Sequence, residues 1–382
     1  MEQVLYKLPD GWEWKRIEEV FTITSGKNLT KKDMDDEGKF SVYGGNGIAG
    51  RYNDFNLSGS NIIIGRVGAL CGNVRLVNGD IWVTDNAFFI KEYKVDILKE
   101  YLAQVLAALN LGETANKAAQ PVISYKGIKD LVIPYPPLDE QKRIVKKLDA
   151  LLNRIDTAIE HLQESVTLAD ALYASTINEQ MMQAIELAGL STVEKHIEQI
   201  QTGTTPPTKQ PEFYENGDIN WFAPSDFGDH DILFDSNKKL SQKAFDAGKA
   251  RKFDAGTIML VAIGATIGKI GYLEQDASSN QQITGMKFNS AIIPRYAYYW
   301  FRFIKPEILT NASTATLPII NQKGIKALSF CAPNKQLQET ICRKIDEVSN
   351  FRNKVKAELN EKVELMRSLK ASILDSAFKG EL

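Results

Sequence analysis

Lys126 to Val145 read KGIKDLVIPYPPLDEQKRIV, and Lys323 to Cys342 read KGIKALSFCAPNKQLQETIC. The offset between the two is a constant 197 residues. In both copies a short apolar run meets proline and then a stretch with apolar residues at steps of three and four, which is how a strand hands over to a helix. The match continues downstream. Ile144–Ile177 and Ile341–Leu374 align without a gap at eleven of thirty-four positions, where unrelated sequences would share roughly two. The chain therefore repeats one plan, and the repeat sets the domain count at two.

Each segment after the prolines has the periodicity of a long helix. Ile144, Leu148, Leu151, Ile155, Ile159, Leu162, Val166 and Ala169 form one stripe. Ile341, Ile345, Val348, Phe351, Val355, Leu359, Val363, Met366, Leu369 and Ile373 form the other. Near-heptad stripes flanked by charge predict a coiled-coil seam over about 35 to 40 residues, roughly 50 to 60 Å of helix. Pro136-Pro137 and Pro333 mark where the helices begin.

Upstream of each helix the pattern changes. Asn61-Ile-Ile-Ile-Gly, Ile81-Trp-Val-Thr and Asp130-Leu-Val-Ile-Pro read as strands, as do Thr257–Ile263 and Ala327–Cys331. Ile97–Leu109 and Pro294–Ile304 read as helices. The fold class is thus α+β, with two mixed α/β domains each followed by a long helix, the helices pairing as an antiparallel coiled coil with pseudo two-fold symmetry. The boundaries are 1–137 and 185–335 for the domains, with 138–184 for the first helix and a linker and 336–382 for the second helix. Gly68–Gly72 aligns with Gly264–Gly268 at an offset of 196, but Gly26 aligns with Gly203 at 177, so the second domain holds nineteen extra residues between them. Shared helices with divergent domains imply one chassis carrying two different reading heads.

Composition narrows the function. At 43% hydrophobic and 25% charged the chain has the balance of a globular protein, and its net charge of −2 gives no global attraction to nucleic acid. No apolar run approaches the roughly 20 residues of a membrane span, and the start lacks a signal-peptide layout, so a cytoplasmic location is expected. Cys71, Cys331 and Cys342 form no CxxC pair and read as free thiols, while His161, His196 and His230 are scattered. The Gly65–Gly72 run lacks the Gly-Lys-Ser/Thr of a phosphate-binding loop, and Ile133-Pro-Tyr-Pro-Pro-Leu lacks the polar acceptor and following aromatic of an amino-methyltransferase tetrad. Ser225–Asp231 gathers carboxylates and a histidine but reads as a polar loop of turn formers. No catalytic constellation and no metal site emerges.

The sequence resembles the specificity subunit of type I restriction-modification systems. The resemblance rests on Pro136-Pro137-Leu138-Asp139-Glu140-Gln141-Lys142-Arg143-Ile144-Val145, on the opening Leu8-Pro-Asp-Gly-Trp12, and on the closing Ser372–Leu382. It covers essentially the whole chain. The second copy departs from it, reading Pro333-Asn-Lys-Gln-Leu-Gln338 without the Pro-Pro or Glu-Gln pairs. What the resemblance implies is a non-catalytic subunit whose two target-recognition domains each read half of an asymmetric bipartite site in double-stranded DNA. Two adenine-methyltransferase subunits, and through them the restriction or motor subunits, would be its partners, with no membrane involved. S-adenosylmethionine, ATP and Mg2+ would belong to those partners, and this chain would bind no cofactor. The rival readings are a two-headed coiled-coil scaffold for protein interactions and an enzyme whose site is built from residues distant in sequence.

Residue chemistry nominates readers in polar, glycine-rich loops, where forked donors, amides and phosphate partners are available. In the first domain they are Lys27, Lys31, Lys32, Tyr43, Asn46, Arg51, Arg66 and Asn86. In the second they are Thr204, Thr205, Lys209, Ser225, Asp226, Lys269, Asn280, Gln281 and Gln282. Helix pairing and partner docking are assigned to Gln141, Ile144, Leu148, Leu151, Ile155, Leu162 and Val166, and to Gln338, Ile341, Ile345, Val348, Val355, Leu359 and Val363.

Overall fold

The computed structural model describes the chain except for residues 1, 2, 4, 117, 118, 229–231 and 314–316. His230 and the acidic residues beside it thus lie outside the described residues. The chain divides into two compact units, Met1–Gln163 with Asn360–Leu382, and Glu164–Leu359.

In the first unit a four-stranded antiparallel sheet runs in the order Phe21–Ser25, Ala87–Tyr93, Ser60–Gly65, Val74–Asn78. Beside it a three-stranded sheet joins Gly47–Tyr52 to Phe40–Gly44 and, in parallel, to Ile81–Val83. Glu13–Arg16 pairs with Val132–Tyr135. The helix Lys99–Ala108 buries Tyr101, Leu102, Val105 and Leu106 against the four-stranded sheet.

The second unit repeats this wiring. Ile197–Thr202, Ile283–Phe288, Ile258–Val261 and Ile270–Leu273 take the same order, with Ile232–Leu233 added in parallel as a fifth strand. Lys238–Leu240, Ile219–Phe222 and Ser278–Ser279 form the three-stranded sheet, and Ser191–Thr192 pairs with Ser329–Phe330. The helix Pro294–Phe303 buries six consecutive residues, Tyr296–Phe301. The fifth strand lies within the unmatched stretch Pro206–Arg251, so the extra residues extend a sheet and do not change its order.

The long helices exceed the predicted length. The first, Leu138–Ala188, has 51 residues, and the second, Lys335–Lys379, has 45, or about 77 and 68 Å at 1.5 Å per residue. The apolar stripe runs past Ile177 to Met181 and Ala184, both fully buried, and ends before Gly189, whose φ of +73° is the left-handed stop that glycine supplies. Each domain core takes in the start of one helix and the end of the other. Ile144 and Leu148 join Ala377 and Phe378 in the first unit. Ile341, Cys342 and Ile345 join Tyr173, Ile177, Met181 and Ala184 in the second. Each fully buried Ile, Leu, Met or Phe among them is worth roughly 1.5–3 kcal/mol.

The inward face of the second helix differs from the predicted stripe. Phe351 and Leu369 are 57% and 47% exposed, whereas Arg352, one position on, is 6% exposed. A cation holds the inner position because it is paired and stacked. Its guanidinium lies 4.1 Å from the Tyr173 ring centroid and 3.8 Å from Asp170. In the first unit Lys370, next to the outward Leu369, bonds Asp156 at 2.7 Å.

The repeated glutamines are structural latches. Gln141 is fully buried; its Oε1 accepts from the Leu98 N–H at 2.9 Å and its Nε2 donates to Pro136 O at 2.9 Å. Gln338, also fully buried, accepts from the Ile293 N–H at 2.8 Å and donates to Pro333 O at 2.7 Å and Ala291 O at 3.0 Å. Leu98 and Ile293 are the N-caps of the two domain helices, where backbone N–H groups otherwise lack partners. Both glutamines, with Ile144, Leu148, Ile341 and Ile345, are therefore spent inside their own domains and not on a docking face. The matched aspartates serve the same joint. Asp149 accepts from Gln104 at 2.8 Å, and Asp346 accepts from Arg295 at 3.0 and 3.1 Å and from the Tyr299 hydroxyl.

Candidate nucleic-acid interface

Loops at one end of each principal sheet gather the candidate readers. In the first domain Gly26 ends the first strand so close to the Val83 and Thr84 carbonyls that no Cβ fits, and the chain then turns outward at Lys27. The Lys27 N–H donates to Val83 O at 3.0 Å, and the Trp82 indole donates to Lys27 O at 3.2 Å. Gly203 ends the equivalent strand against Ser279 and Asn280 with equal tightness. The Thr204 N–H donates to Ser279 O at 2.9 Å, and the Trp221 indole donates to Thr204 O at 3.0 Å. Each candidate loop thus starts from a backbone amide pinned on both sides. The tryptophans come from different strands, so only the structure reveals them as equivalents.

The glycine turns are equivalent in conformation as well. Gly68 and Gly264 have φ of +105° and +107°, and Gly72 and Gly268 have +86° and +83°. Residues with a Cβ rarely adopt these angles, which explains the glycine spacing without a nucleotide ligand.

In the first domain the cluster holds Lys27, Asn46, Arg66 and Asn86. Gly45 packs against Val67 O and Asn86 O, and the Arg66 and Val67 N–H groups both donate to Asn86 O. Arg66 also donates Nη1 to Asp85 O at 3.1 Å and lies 5.4 Å from the Phe88 ring centroid. Asn46 accepts the Leu70 N–H at 3.3 Å. Lys27, Asn46 and Asn86 are exposed, and Tyr43 is half-buried in the strand leading to this turn. Lys31 and Lys32 are exposed on the adjoining loop. Arg51 closes a turn, donating to Gly38 O at 2.5 Å and Lys39 O at 2.8 Å.

The second domain gathers Thr204, Thr205, Asn280, Gln281 and Gln282. Thr205 donates to Gln281 Oε1, and Thr204 donates to Lys249 O at 3.1 Å. Asn280, 8% exposed, is locked to Gln282 by bonds of 3.0 and 3.1 Å, so its amide organises the loop. Thr205, Gln281, Lys209 and Ser225 are exposed. Asp226 is spent on the fold, accepting from the Ala223 N–H at 2.7 Å and the Asn237 N–H at 3.2 Å. Lys269 donates Nζ to Phe227 O at 2.8 Å.

Other chemistry is sparse. His196 Nε2 lies 2.8 Å from Ser191 Oγ, but that hydroxyl donates to Phe330 O at 2.9 Å and so is committed to the backbone. Burial, then Lys195, holds His196 below its ordinary value. Cys331 and Cys342 are buried, Cys71 is half-buried, and burial pushes the Cys342 thiol up to about 12, which leaves it unreactive. Among the described residues no group of three or more His, Cys, Asp or Glu could hold a metal ion, and no helix is long and apolar enough to cross a membrane.

One surface feature escaped the sequence reading. Leu168 and Leu172 are 62% and 48% exposed in the second unit, and their repeat partners Leu365 and Leu369 are 61% and 47% exposed in the first. All four are identities of the repeat, so their recurrence in sequence was visible, but periodicity alone assigned Leu369 to the inner stripe. Of the remaining predicted stripe, Ile155 and Val363 are buried, and Leu151, Leu162, Val166, Val348, Val355 and Leu359 are half-buried.

Comparison with known proteins agrees with this duplication. The specificity subunit of the Escherichia coli type I restriction enzyme EcoprrI is 28% identical over 173 residues, 43% of this chain and 43% of that protein. The match thus spans less than half the length of that relative. The EcoBI specificity subunit of Escherichia coli is 21% identical, covering 80% of this chain and 71% of its own, and the StySPI specificity subunit of Salmonella potsdam is 21% identical over 98% and 90%. Among solved structures, a chain of a type I R-M system superposes with a TM-score of 0.73 at 19% identity, covering 99% of this chain and all of that one. The HsdS subunit from Thermoanaerobacter tengcongensis superposes with a TM-score of 0.52 at 18% identity, covering 99% of each chain. The family model for the type I restriction modification DNA specificity domain matches residues 9–168 and again 195–365. Carrying that domain twice, the chain belongs to the family of type I restriction-modification specificity subunits.

Proposed function

We propose that this chain is the non-catalytic DNA-reading subunit of a type I restriction-modification complex, and that each domain reads one half of an asymmetric bipartite site in double-stranded DNA. The observation that carries this reading is the duplicated sheet order ending in two chemically different loops. Lys27, Asn46, Arg66 and Asn86 offer cations and amides, whereas Thr204, Thr205 and Gln281 offer hydroxyls and an amide. Equivalent positions with different donors and acceptors select different base edges.

The long helices act as an antiparallel coiled coil that sets the unread spacer. In support, Asp156 bonds Lys370 in one unit and Asp170 bonds Lys356 in the other, so fourteen residues forward on the first helix correspond to fourteen back on the second. Half-sites one helical turn apart are separated by about 34 Å, within the reach of helices this long. Two copies of an adenine-methyltransferase subunit dock on the helix faces that carry Leu168 with Leu172 and Leu365 with Leu369. Exposed apolar pairs recurring at equivalent repeat positions are what two identical partners need. Restriction or motor subunits join through those partners. S-adenosylmethionine, ATP and Mg2+ are assigned to the partner subunits, where the chemistry occurs.

Helix extension tests the ruler. Inserting four residues after Glu160 and four at the matching point after Ala357 should lengthen the spacer between methylated half-sites while both half-sites keep their sequence. An unchanged spacer in the methylation map would rule the ruler out.

A further inference from the structure

Two large apolar side chains stand in solvent among the polar loops of the first domain. Ile48 is 66% exposed and Leu70 is 49% exposed. They belong to different turns, and the backbone fastens those turns together. Gly45, at the tip of the hairpin formed by Phe40–Gly44 and Gly47–Tyr52, lies so close to Val67 O that no Cβ fits, and Gly65 lies as close to Gly45 O. Asn46 completes the join. Its Oδ1 accepts from the Leu70 N–H at 3.3 Å, and its carbonyl accepts from Arg75 Nη2 at 3.2 Å. Ile48 is paired with Tyr43 across the hairpin, and Leu70 O accepts from the Asn73 N–H at 3.2 Å. Both side chains are therefore displayed from backbone that is already ordered, which lowers the entropy lost when something covers them.

The fold does not require this display. The second domain makes the equivalent glycine turn, with φ of +107° at Gly264 and +83° at Gly268, and holds Thr266 where the first holds Leu70. A leucine that the duplicated turn does without, and that keeps about half of its surface in water, is available for a contact outside the chain. Isolated exposed apolar residues are ordinary on any protein surface. Ile48 and Leu70 are not isolated. They sit on joined turns in the same loop cluster as Lys27, Arg66 and Asn86, continuous with the candidate nucleic-acid interface.

We propose that Ile48 and Leu70 read thymine in the half-site of the first domain, by covering its 5-methyl group in the major groove. Every other group on the base edges there is a hydrogen-bond donor or acceptor, so the methyl is the one feature that an apolar side chain matches. Laid against cytosine instead, the pair would strip water from the N4 amino group and return no bond, which turns the contact into selection. The inference rests on the DNA-reading function proposed above.

The test uses the full chain in complex with its methyltransferase subunits and a duplex carrying its mapped motif. The half read by the first domain is the one rewritten when residues 1–137 are exchanged. Each thymine of that half, on either strand, is replaced in turn by deoxyuridine, which removes only the methyl group. Binding should weaken about fourfold for each covered methyl, at one or two positions and not at the others. Ile48→Ser/Leu70→Ser should bind the thymine and deoxyuridine duplexes equally at those positions, and its methylation map should admit cytosine there. Deoxyuridine in the other half should act identically on both proteins. A first half without thymine, or one in which the unaltered complex tolerates deoxyuridine everywhere, would overturn the proposal without recourse to any variant. A variant that keeps the full preference for thymine would overturn it too. If that variant also bound every duplex more weakly, the pair would be assigned to a partner protein or to a wedge between bases. All of these outcomes leave the DNA reading standing. Failure of the unaltered complex to bind or methylate any duplex would instead remove the DNA reading and the thymine contact together.

Discussion

The two domains share a sheet order, a glutamine latch, a pinned loop start and paired left-handed glycines, yet hardly any of their exposed loop chemistry. The first domain presents lysine, arginine and amides around Gly45 and Gly68, and the second presents hydroxyls and glutamine around Gly203 and Gly264. Positions that hold the backbone are duplicated, while those that face outward are free to diverge. On the function proposed above, duplication would give a second specificity in this way, since the scaffold tolerates any loop that leaves its pins in place.

The largest effects should come from the latches. Gln338→Met leaves the Ile293 N–H and two carbonyls without their partner, and Gln141→Met leaves one N–H and one carbonyl. At roughly 1–3 kcal/mol for each unsatisfied buried group, and with Ala291 exposed so that water replaces that partner, each variant should lose about 2–4 kcal/mol. Urea unfolding followed separately for each domain would measure it, and equal, negligible losses would remove the latch from the account.

Next come the exposed leucines. Leu168→Asp/Leu172→Asp and Leu365→Asp/Leu369→Asp should each leave stability within about 0.5 kcal/mol, because the side chains already face solvent. Each should weaken one of two methyltransferase sites by about 2 kcal/mol, the cost of an apolar anchor. Mass photometry should then count one partner per chain at concentrations where the unaltered chain binds two. Two partners on every variant would move docking elsewhere.

Smaller effects separate the loop pins. Trp82→Phe and Trp221→Phe each remove one indole hydrogen bond, worth about 1 kcal/mol. The first should relax selectivity only at the half-site read by the first domain, and the second only at the other. The smallest effect is a pH dependence. His196 is held below its ordinary 6.5 by burial, so the unfolded chain binds its proton more readily than the folded one. The stability this contributes is complete above the unfolded value and declines as pH falls below about 6.5 toward the folded value. His196→Gln should flatten that decline in the second domain alone, as read by melting between pH 5 and 8.

Much of this was legible in the residues. The offset of 197 residues yielded the two-domain plan, the long helices and the hand-over points, because a repeated apolar period is a long-range signal carried in one dimension. The shared sheet order was not legible, since strands such as Ser191–Thr192 and Ser278–Ser279 are too short and polar to carry a period. The inner face of the second helix was misassigned at Phe351 and Leu369 because polarity ranked Arg352 and Lys370 as outward. Tyr173, Asp170 and Asp156, which make those cations tolerable, lie on the other helix. Of the nominated readers, Arg51 and Asp226 serve the fold, because sequence does not reveal which backbone groups a donor or acceptor will meet.

The central claim is that each domain reads its own half-site. It is tested most directly by co-expressing the chain with its cognate adenine-methyltransferase subunit, mapping methylated adenines by sequencing, and repeating the map after residues 1–137 are exchanged for those of a relative. The account expects one asymmetric bipartite motif, in which the exchange rewrites one half and leaves the other half and the spacer unchanged. A motif that changes in both halves, or methylation confined to a single continuous site, would contradict it.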